Sequence, residues 1–180
     1  MDIRTILLPV DFSTCSMLVA AQAGAFASRL GARVVVLNVA ELPPGVAATV
    51  HVNHDGKDTE VGAYLLDDTL ERLAPFADAV RSAGAEAATA SRIGPVAPTV
   101  VAAAEELGAD LIIMGTHGRT GLARMVLGSV AEGVSRAARV PVMLLRRETR
   151  PECASASCDW CPHDGRSQAV MATADAEGAG

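Results

Sequence analysis

Aromatic side chains are scarce: the 180 residues include three Phe, one Tyr and one Trp. The core must therefore be assembled from Ala, Val, Leu and Ile, which is feasible because half of the residues are hydrophobic. With a fifth of the residues charged, the composition suits one globular domain with a sizeable core rather than a disordered chain. No uninterrupted apolar run approaches the roughly 18 residues that a transmembrane helix requires. The N-terminus also lacks a secretory pattern: Asp2 precedes Arg4, the run Ile6–Val10 is short, and Asp11 ends it. A cytoplasmic location, with no membrane partner, is the expectation. Positive charge is not in excess either. The formal net charge of −6 gives no general electrostatic reason to expect a nucleic-acid partner. Nor do the cysteines form a disulfide framework, because Cys15 stands alone and the other three crowd into the C-terminal tail.

Strand-like and helix-like segments alternate. Thr5–Val10, Val34–Val39, Leu111–Met114 and Val140–Leu145 are nearly continuous apolar runs, the pattern of strands covered on both faces by helices. Ala85–Ile93 is more polar and reads as an edge strand. Helices are expected from Ser13 or Thr14 to Leu30, with Leu18, Phe26 and Leu30 among the apolar positions and Gly31 as the stop. Others should run from about Glu60 to Arg81, from Pro95–Pro98 to Leu107, and from Ser129 to about Ala138. This alternation implies an α/β three-layer sandwich around a parallel sheet of about five strands. Glu41–Thr59, rich in Pro, Gly, His and Asp, reads as a mobile loop. The expected domain covers residues 1–147. Residues 148–180 lack periodicity and read as a disordered, Cys-containing tail.

The most informative stretch is Gly115–Val130, which follows an apolar strand and leads into a helix. In open α/β sheets ligands sit at the carboxyl ends of strands. Gly115 and Gly118 leave backbone amides unshielded, and Gly128 precedes Ser129 at a helix N-terminus, where amides and dipole favour phosphate. Local charge agrees, since Gly115–Arg147 holds six arginines and one acid, Glu132. A bland alternative stands beside this: Ser129-Val130-Ala131-Glu132 is a capping box that helix stability alone would justify. Two familiar phosphate signatures are missing, the G-x-x-x-x-G-K-[ST] loop and a G-x-G-x-x-G after the first strand.

Gly115, two residues, Gly118, nine residues and Gly128-Ser129 match the G-x2-G-x9-G-[ST] motif of the ATP-binding universal stress proteins. The ends Pro9-Val10-Asp11-Phe12-Ser13 and Leu37-Asn38-Val39, the run Ala109–Gly115 and the final strand Pro141–Leu145 also resemble that family. The similarity covers about residues 2–147. It implies a Rossmann-like topology of the adenine nucleotide alpha hydrolase type. It also implies that Pro9, Val10 and Val39 line an adenine slot, and that Asp11 binds ribose or helps hold a divalent ion such as Mg2+. Met114 and Gly115 would approach the ribose and phosphates, while Gly118, Gly128, Ser129 and Val130 cradle the phosphates. The resemblance further implies a homodimer formed through the last strand, about Pro141–Arg147.

Other residues carry weaker signals. An acid such as Asp11 at the end of a buried strand needs a task, and capping the first helix would be one. Arg119 and Arg124 could reach terminal phosphates, and His117 lies in the same loop, but long arginines are usually solvated. His51, His54 and Asp55 match no established ligand spacing and read as part of a polar loop. Cys15 is most simply a small buried residue. Cys153, Cys158, Cys161 and His163 are the ligand set of a Cys3His zinc site, or Cys158 and Cys161 a redox pair, against an unstructured tail as the alternative. The expected function is a dimeric, ATP-binding stress or regulatory switch with an unidentified protein partner. A slow ATPase and a nucleotide-free dimeric scaffold are the alternatives, and no residue stands out as a base for hydrolytic water.

Overall fold

A computed structural model of the chain describes residues 2–54, 56–116 and 127–145. Eleven elements follow one another in those residues: β1 (Thr5–Pro9), α1 (Thr14–Leu30), β2 (Arg33–Ala40), β3 (His51–His54), β4 (Lys57–Glu60), α2 (Val61–Ser82), β5 (Ala87–Ile93), α3 (Val96–Glu106), β6 (Leu111–Gly115), α4 (Ser129–Ala137) and β7 (Val142–Leu145). Five strands form one parallel sheet in the order β5-β2-β1-β6-β7. The fold is the expected α/β sandwich, with the more polar β5 at an edge.

The apolar runs are buried on both sides, as continuous rather than alternating hydrophobicity requires. Ile6, Leu8, Val34, Val36 and Ile113 point to the layer of α1 and α2, where they meet Ala20, Ala23, Leu73, Phe76 and Val80. Leu7, Leu37, Ile112 and Met114 point the other way, onto Val100, Ala104, Ala131 and Val134 of α3 and α4. The scarcity of aromatics is met by close approach of small residues. At Gly24 of α1, an added Cβ would lie 2.8 Å from the Val80 carbonyl oxygen of α2. At Gly133 of α4 it would lie 2.9 Å from the Ala97 Cβ of α3.

Several local expectations need correction. Leu18 and Leu30 are apolar positions of α1 that remain 41% and 46% exposed, while Phe26 does pack against the core. The last strand begins at Val142 rather than Val140. The segment Glu41–Thr59 is not structureless, because β3 and β4 pair as an antiparallel hairpin. Gly56 supplies the left-handed turn backbone at φ 77° and donates its N–H to Asn53 Oδ1 at 3.1 Å. The hairpin is tied to the start of α2 by Val61 N–H to the Val50 carbonyl and Gly62 N–H to the Ala48 carbonyl, both 2.8 Å. The Ser129–Glu132 capping box does not form. Gly128 takes the N-cap position and Ser129 is the first helical residue, so the cap position itself offers α4 no side chain.

Candidate functional site

Chain order runs outward from β1 through β2 to β5, then restarts on the other side of β1 with β6 and β7. The switch between β1 and β6 splays the loops at their carboxyl ends, where such sheets bind ligands. A cleft of about 650 Å³ opens there, within the size range of small-molecule sites.

The floor of the cleft is the end of β1 tied to β2. Val10 donates its N–H to the Leu37 carbonyl at 2.8 Å, and the buried Asn38 donates Nδ2–H to the Val10 carbonyl at 2.7 Å. With both polar groups of Val10 engaged, the chain turns at the rim. Asp11 Oδ1 accepts the Ser13 N–H at 3.1 Å and the Ser16 hydroxyl at 2.5 Å. Ser13, the N-cap of α1, accepts the Ser16 N–H on its hydroxyl at 3.2 Å. Asp11 therefore does support the start of α1, as the cap alternative anticipated, and it also lines the cleft.

One wall comes from β6 and α4. The Thr116 carbonyl accepts the Gly128 N–H at 2.8 Å, which closes the base of the intervening loop and brings Gly115 and Gly128 to the same cleft. The first N–H groups of an α-helix have no partner within the helix. Among the described residues no side chain caps those of α4, and Ser129 is exposed. Apolar Val39, Val96, Val100, Met114 and Val130 line the adjoining surface.

The opposite wall is a face of α2 formed by Leu65, Asp68, Thr69 and Arg72. The Arg72 guanidinium lies 4.1 Å from the centre of the Phe12 ring and donates to Asp68 at 3.4 Å. Phe12 in turn meets Phe76 edge-on, with ring centres 5.9 Å apart.

Pro9, Val10, Asp11, Val39, Met114, Gly115, Gly128, Ser129 and Val130, singled out in the sequence, all border this one cleft. Gly118 and Arg119 lie outside the described residues, as do His117, Arg124, Asp55 and the tail residues Cys153, Cys158, Cys161 and His163. Cys15 is half-buried on the cleft rather than a core residue. Sequence reading missed the α2 wall, although 65, 68, 69 and 72 carry the i, i+3, i+4, i+7 spacing of a single helical face. It also missed Asn38, whose signal was a lone amide in an otherwise apolar run. No cluster of three His, Cys, Asp or Glu side chains fit to hold a metal ion occurs among the described residues. His51 instead pairs along the hairpin, 3.2 Å from Asp58 and 4.0 Å from Glu60.

At the far end of the sheet, Asp110 accepts the Arg4 and Thr5 N–H groups at 2.8 and 2.9 Å. Those two backbone hydrogen bonds hold its carboxyl below the usual carboxylate range. This clamp is structural, since it joins the starts of β1 and β6 away from the cleft.

The family model of the universal stress proteins matches residues 2–146. The chain belongs to the universal stress protein family. One curated member, from Methanocaldococcus jannaschii, is 32% identical over 144 residues, covering 80% of this chain and 82% of its own length. Among solved structures, a universal stress protein from Lactobacillus plantarum shares the fold with a TM-score of 0.63 at 22% identity, covering 81% of this chain and 99% of its own. One from Archaeoglobus fulgidus, in complex with dAMP, is 25% identical with a TM-score of 0.55, covering 80% of this chain and 98% of its own. The five-stranded parallel sheet flanked by helices matches the fold of those solved universal stress proteins. No helix of the described residues is long and apolar enough to cross a membrane.

Proposed function

We propose that this universal stress protein binds an adenine nucleotide, ATP foremost, in the cleft between β1 and β6 and acts as a nucleotide-dependent switch. The observation that carries the reading is Gly128. Its backbone, at φ −71° and ψ 151°, is one that any residue adopts. Glycine is therefore not required there for conformational freedom. What it provides is a cap position without a side chain at the start of α4, on a cleft with an apolar flank. That combination suits a phosphate chain on the amides and a flat base against Val39 and Met114. The dAMP-bound relative from Archaeoglobus fulgidus supports the same ligand class.

In this reading Pro9, Val10, Val39 and Met114 border the base. Asp11 meets the ribose, and Gly115, Gly118, Arg119, Gly128, Ser129 and Val130 surround the phosphates. Mg2+ would arrive with a triphosphate and take most of its ligands from phosphate and water, with Asp11 as one protein ligand. A ligand switches a protein only by favouring one of its states. The segments Glu41–Thr59 and Thr116–Leu127 are the candidates for that change. The edge strand β7 would carry a homodimer, which light scattering of the chain with and without ATP tests directly.

The deciding experiment denatures freshly purified protein, identifies any nucleotide released, and titrates the emptied chain with ATP and Mg2+. Recovered adenine nucleotide, or binding near 1 μM (about −8 kcal/mol), is the expected result. Absence of both release and binding would reduce the Gly115–Ser129 segment to a turn and a helix start.

A further inference from the structure

Helix α2 carries a proline in its interior, Pro75. Proline has no N–H for the carbonyl of Glu71, so the backbone ladder is open at that turn. Both residues are exposed. Surface helices curve with their convex side toward water. An opening on that side lets the first part of α2 bend toward the sheet without breaking a further hydrogen bond.

The two sides of Pro75 are held differently. Beyond it, Phe76, Ala77 and Val80 are buried in the core. Val80 and Ala83 also pack so closely on α1 that a Cβ added at Gly24 would lie 2.8–2.9 Å from them. Before it, the ties lead to the hairpin. The N-cap residue Glu60 gives α2 no side-chain hydrogen bond. The first two helical amides go instead to carbonyls just ahead of the hairpin, Val61 N–H to Val50 and Gly62 N–H to Ala48, both at 2.8 Å. A Cβ added at Gly62 would lie 2.8 Å from the Ala48 Cβ. Hairpin and helix start are thus packed as one piece. The cleft residues of α2, Leu65, Asp68, Thr69 and Arg72, all belong to this first part. Phe12 marks the boundary: its ring meets Phe76 just after the proline and carries the Arg72 guanidinium just before it.

We propose that residues 61–74 and the β3–β4 hairpin form a lid that pivots at Pro75 and closes over a nucleotide in the cleft. The inference rests on the nucleotide reading above and deepens it, by naming the moving part of the switch and its hinge. The lever is long. At about 1.5 Å per residue, the helix from Pro75 back to Val61 spans about 20 Å, so a bend of about 10° carries its far end about 3–4 Å. The residues around Phe12 scarcely move, and the hairpin moves most. Occupancy of the cleft is thereby displayed on exposed strands, where a partner protein can read it.

The test uses the full-length chain, Pro75→Ala, which restores the missing backbone bond, and Gly62→Ala, which forces the hairpin away from α2. The first reading is amide exchange without nucleotide. Gly62→Ala should accelerate exchange about tenfold in both the hairpin and residues 65–72, and leave residues 79–82 unchanged. Equal acceleration on both sides of Pro75 overturns the hinge. The second reading adds ATP, which should slow exchange in the hairpin and residues 65–72 of the unaltered chain and not in 79–82. ATP binding without that protection overturns the lid. The third sets stability against affinity. Pro75→Ala should raise the thermal midpoint, because alanine is the better helix former, and yet weaken ATP binding about tenfold, because a straightened helix resists closure. A stabilised Pro75→Ala protein that binds ATP as well as the unaltered chain overturns the proposal. If the unaltered chain binds no ATP, the nucleotide reading fails and closure with it, while exchange without ligand still decides the hinge.

Discussion

Asn38→Asp is a near-isosteric change at the floor of the cleft, and its cost should depend steeply on pH. Asn38 is 8% exposed and its amide donates to the Val10 carbonyl at 2.7 Å. An ionised aspartate there has no proton to donate and sets two oxygens against each other in a site with little water. A protonated aspartate can donate its O–H to Val10 much as the amide does. Folding therefore favours the protonated form, so the new carboxyl has a pKa in the folded state above its unfolded value of about 3.9. The sign follows from that difference. Below about pH 4 both states are protonated and the variant loses little. As pH rises, the unfolded state gives up its proton first, and the penalty grows by about 1.4 kcal/mol per pH unit until the folded carboxyl ionises as well. For a group this buried, an upward shift of about 2–3 units gives a loss of about 3–4 kcal/mol at pH 7. Asn38→Ala is the control. It strands the Val10 carbonyl for about 1–3 kcal/mol and brings no titration of its own. Urea unfolding of the three proteins at pH 4, 5.5 and 7 measures this, and subtracting the unaltered chain removes titrations common to all. A penalty for Asn38→Asp that does not change with pH would mean that this side chain faces water and does not hold the end of β1.

Gly24→Ala should destabilise the protein by about 1–2 kcal/mol in thermal or urea unfolding, because the new methyl meets α2 backbone 2.8–2.9 Å away and overpacking outweighs the gain in helix propensity. Gly31→Ala meets nothing within 4 Å but sits at φ 66°, so its loss of about 1 kcal/mol should arise from backbone strain and leave the cleft unaltered by ligand titration. Gly128→Leu keeps an accessible backbone, and should lower ATP affinity at least about tenfold while the unfolding free energy moves by about 0.5 kcal/mol or less. For Asp110 the folded pKa is depressed by the Arg4 and Thr5 N–H groups. Its contribution is thus complete above the ordinary carboxylate pKa and is lost as pH falls through the lower folded value. The stability gap between the unaltered chain and Asp110→Asn should accordingly be widest near neutrality and close in acid.

Much of the sheet was legible because burial on both faces leaves a trace that no local competitor imitates. The runs Ile6–Val10 and Leu111–Met114 are too short for helices and too apolar for loops, and β5 announced its edge position by its polarity. Gly31 and Ser13 were legible because a left-handed stop and a hydroxyl cap are local chemistry. The hairpin β3–β4 was not, since His51–His54 and Lys57–Glu60 hold few residues of high strand propensity. The Asp55-Gly56 pair, a strong turn signal, stood without the hydrophobic alternation that usually accompanies it. Ser129 misled for a different reason. The capping box is a sequence pattern, and it reads the same whether Ser129 or the preceding Gly128 takes the cap position. The α2 wall lay beyond local reasoning altogether. Arg72 meets Phe12 only because α1 and α2 pack closely, and Phe12 itself, at φ 62°, occupies a backbone region that its identity argues against.

The charges around the cleft also orient whatever enters it. Among the described lining residues, Asp11, Glu41 and Asp68 are acids and Arg72 is the one base, already engaged with Asp68 and the Phe12 ring. A polyanion would be repelled along that side. The start of α4 lies on the other side, where backbone dipoles contribute roughly half a positive charge. Arg119 and Arg124 lie between β6 and α4 in the sequence. A ligand that carries phosphate at one end and hydroxyls at the other fits this gradient in a single direction, with phosphates at Gly128 and sugar toward Asp11. A ligand anionic along its whole length, such as inorganic triphosphate, meets the favourable end alone and should compete with ATP only weakly. On the proposed reading, the same asymmetry would let a sequence that is acidic overall favour a phosphorylated ligand. What matters is the field at the α4 amides and not the net charge of −6.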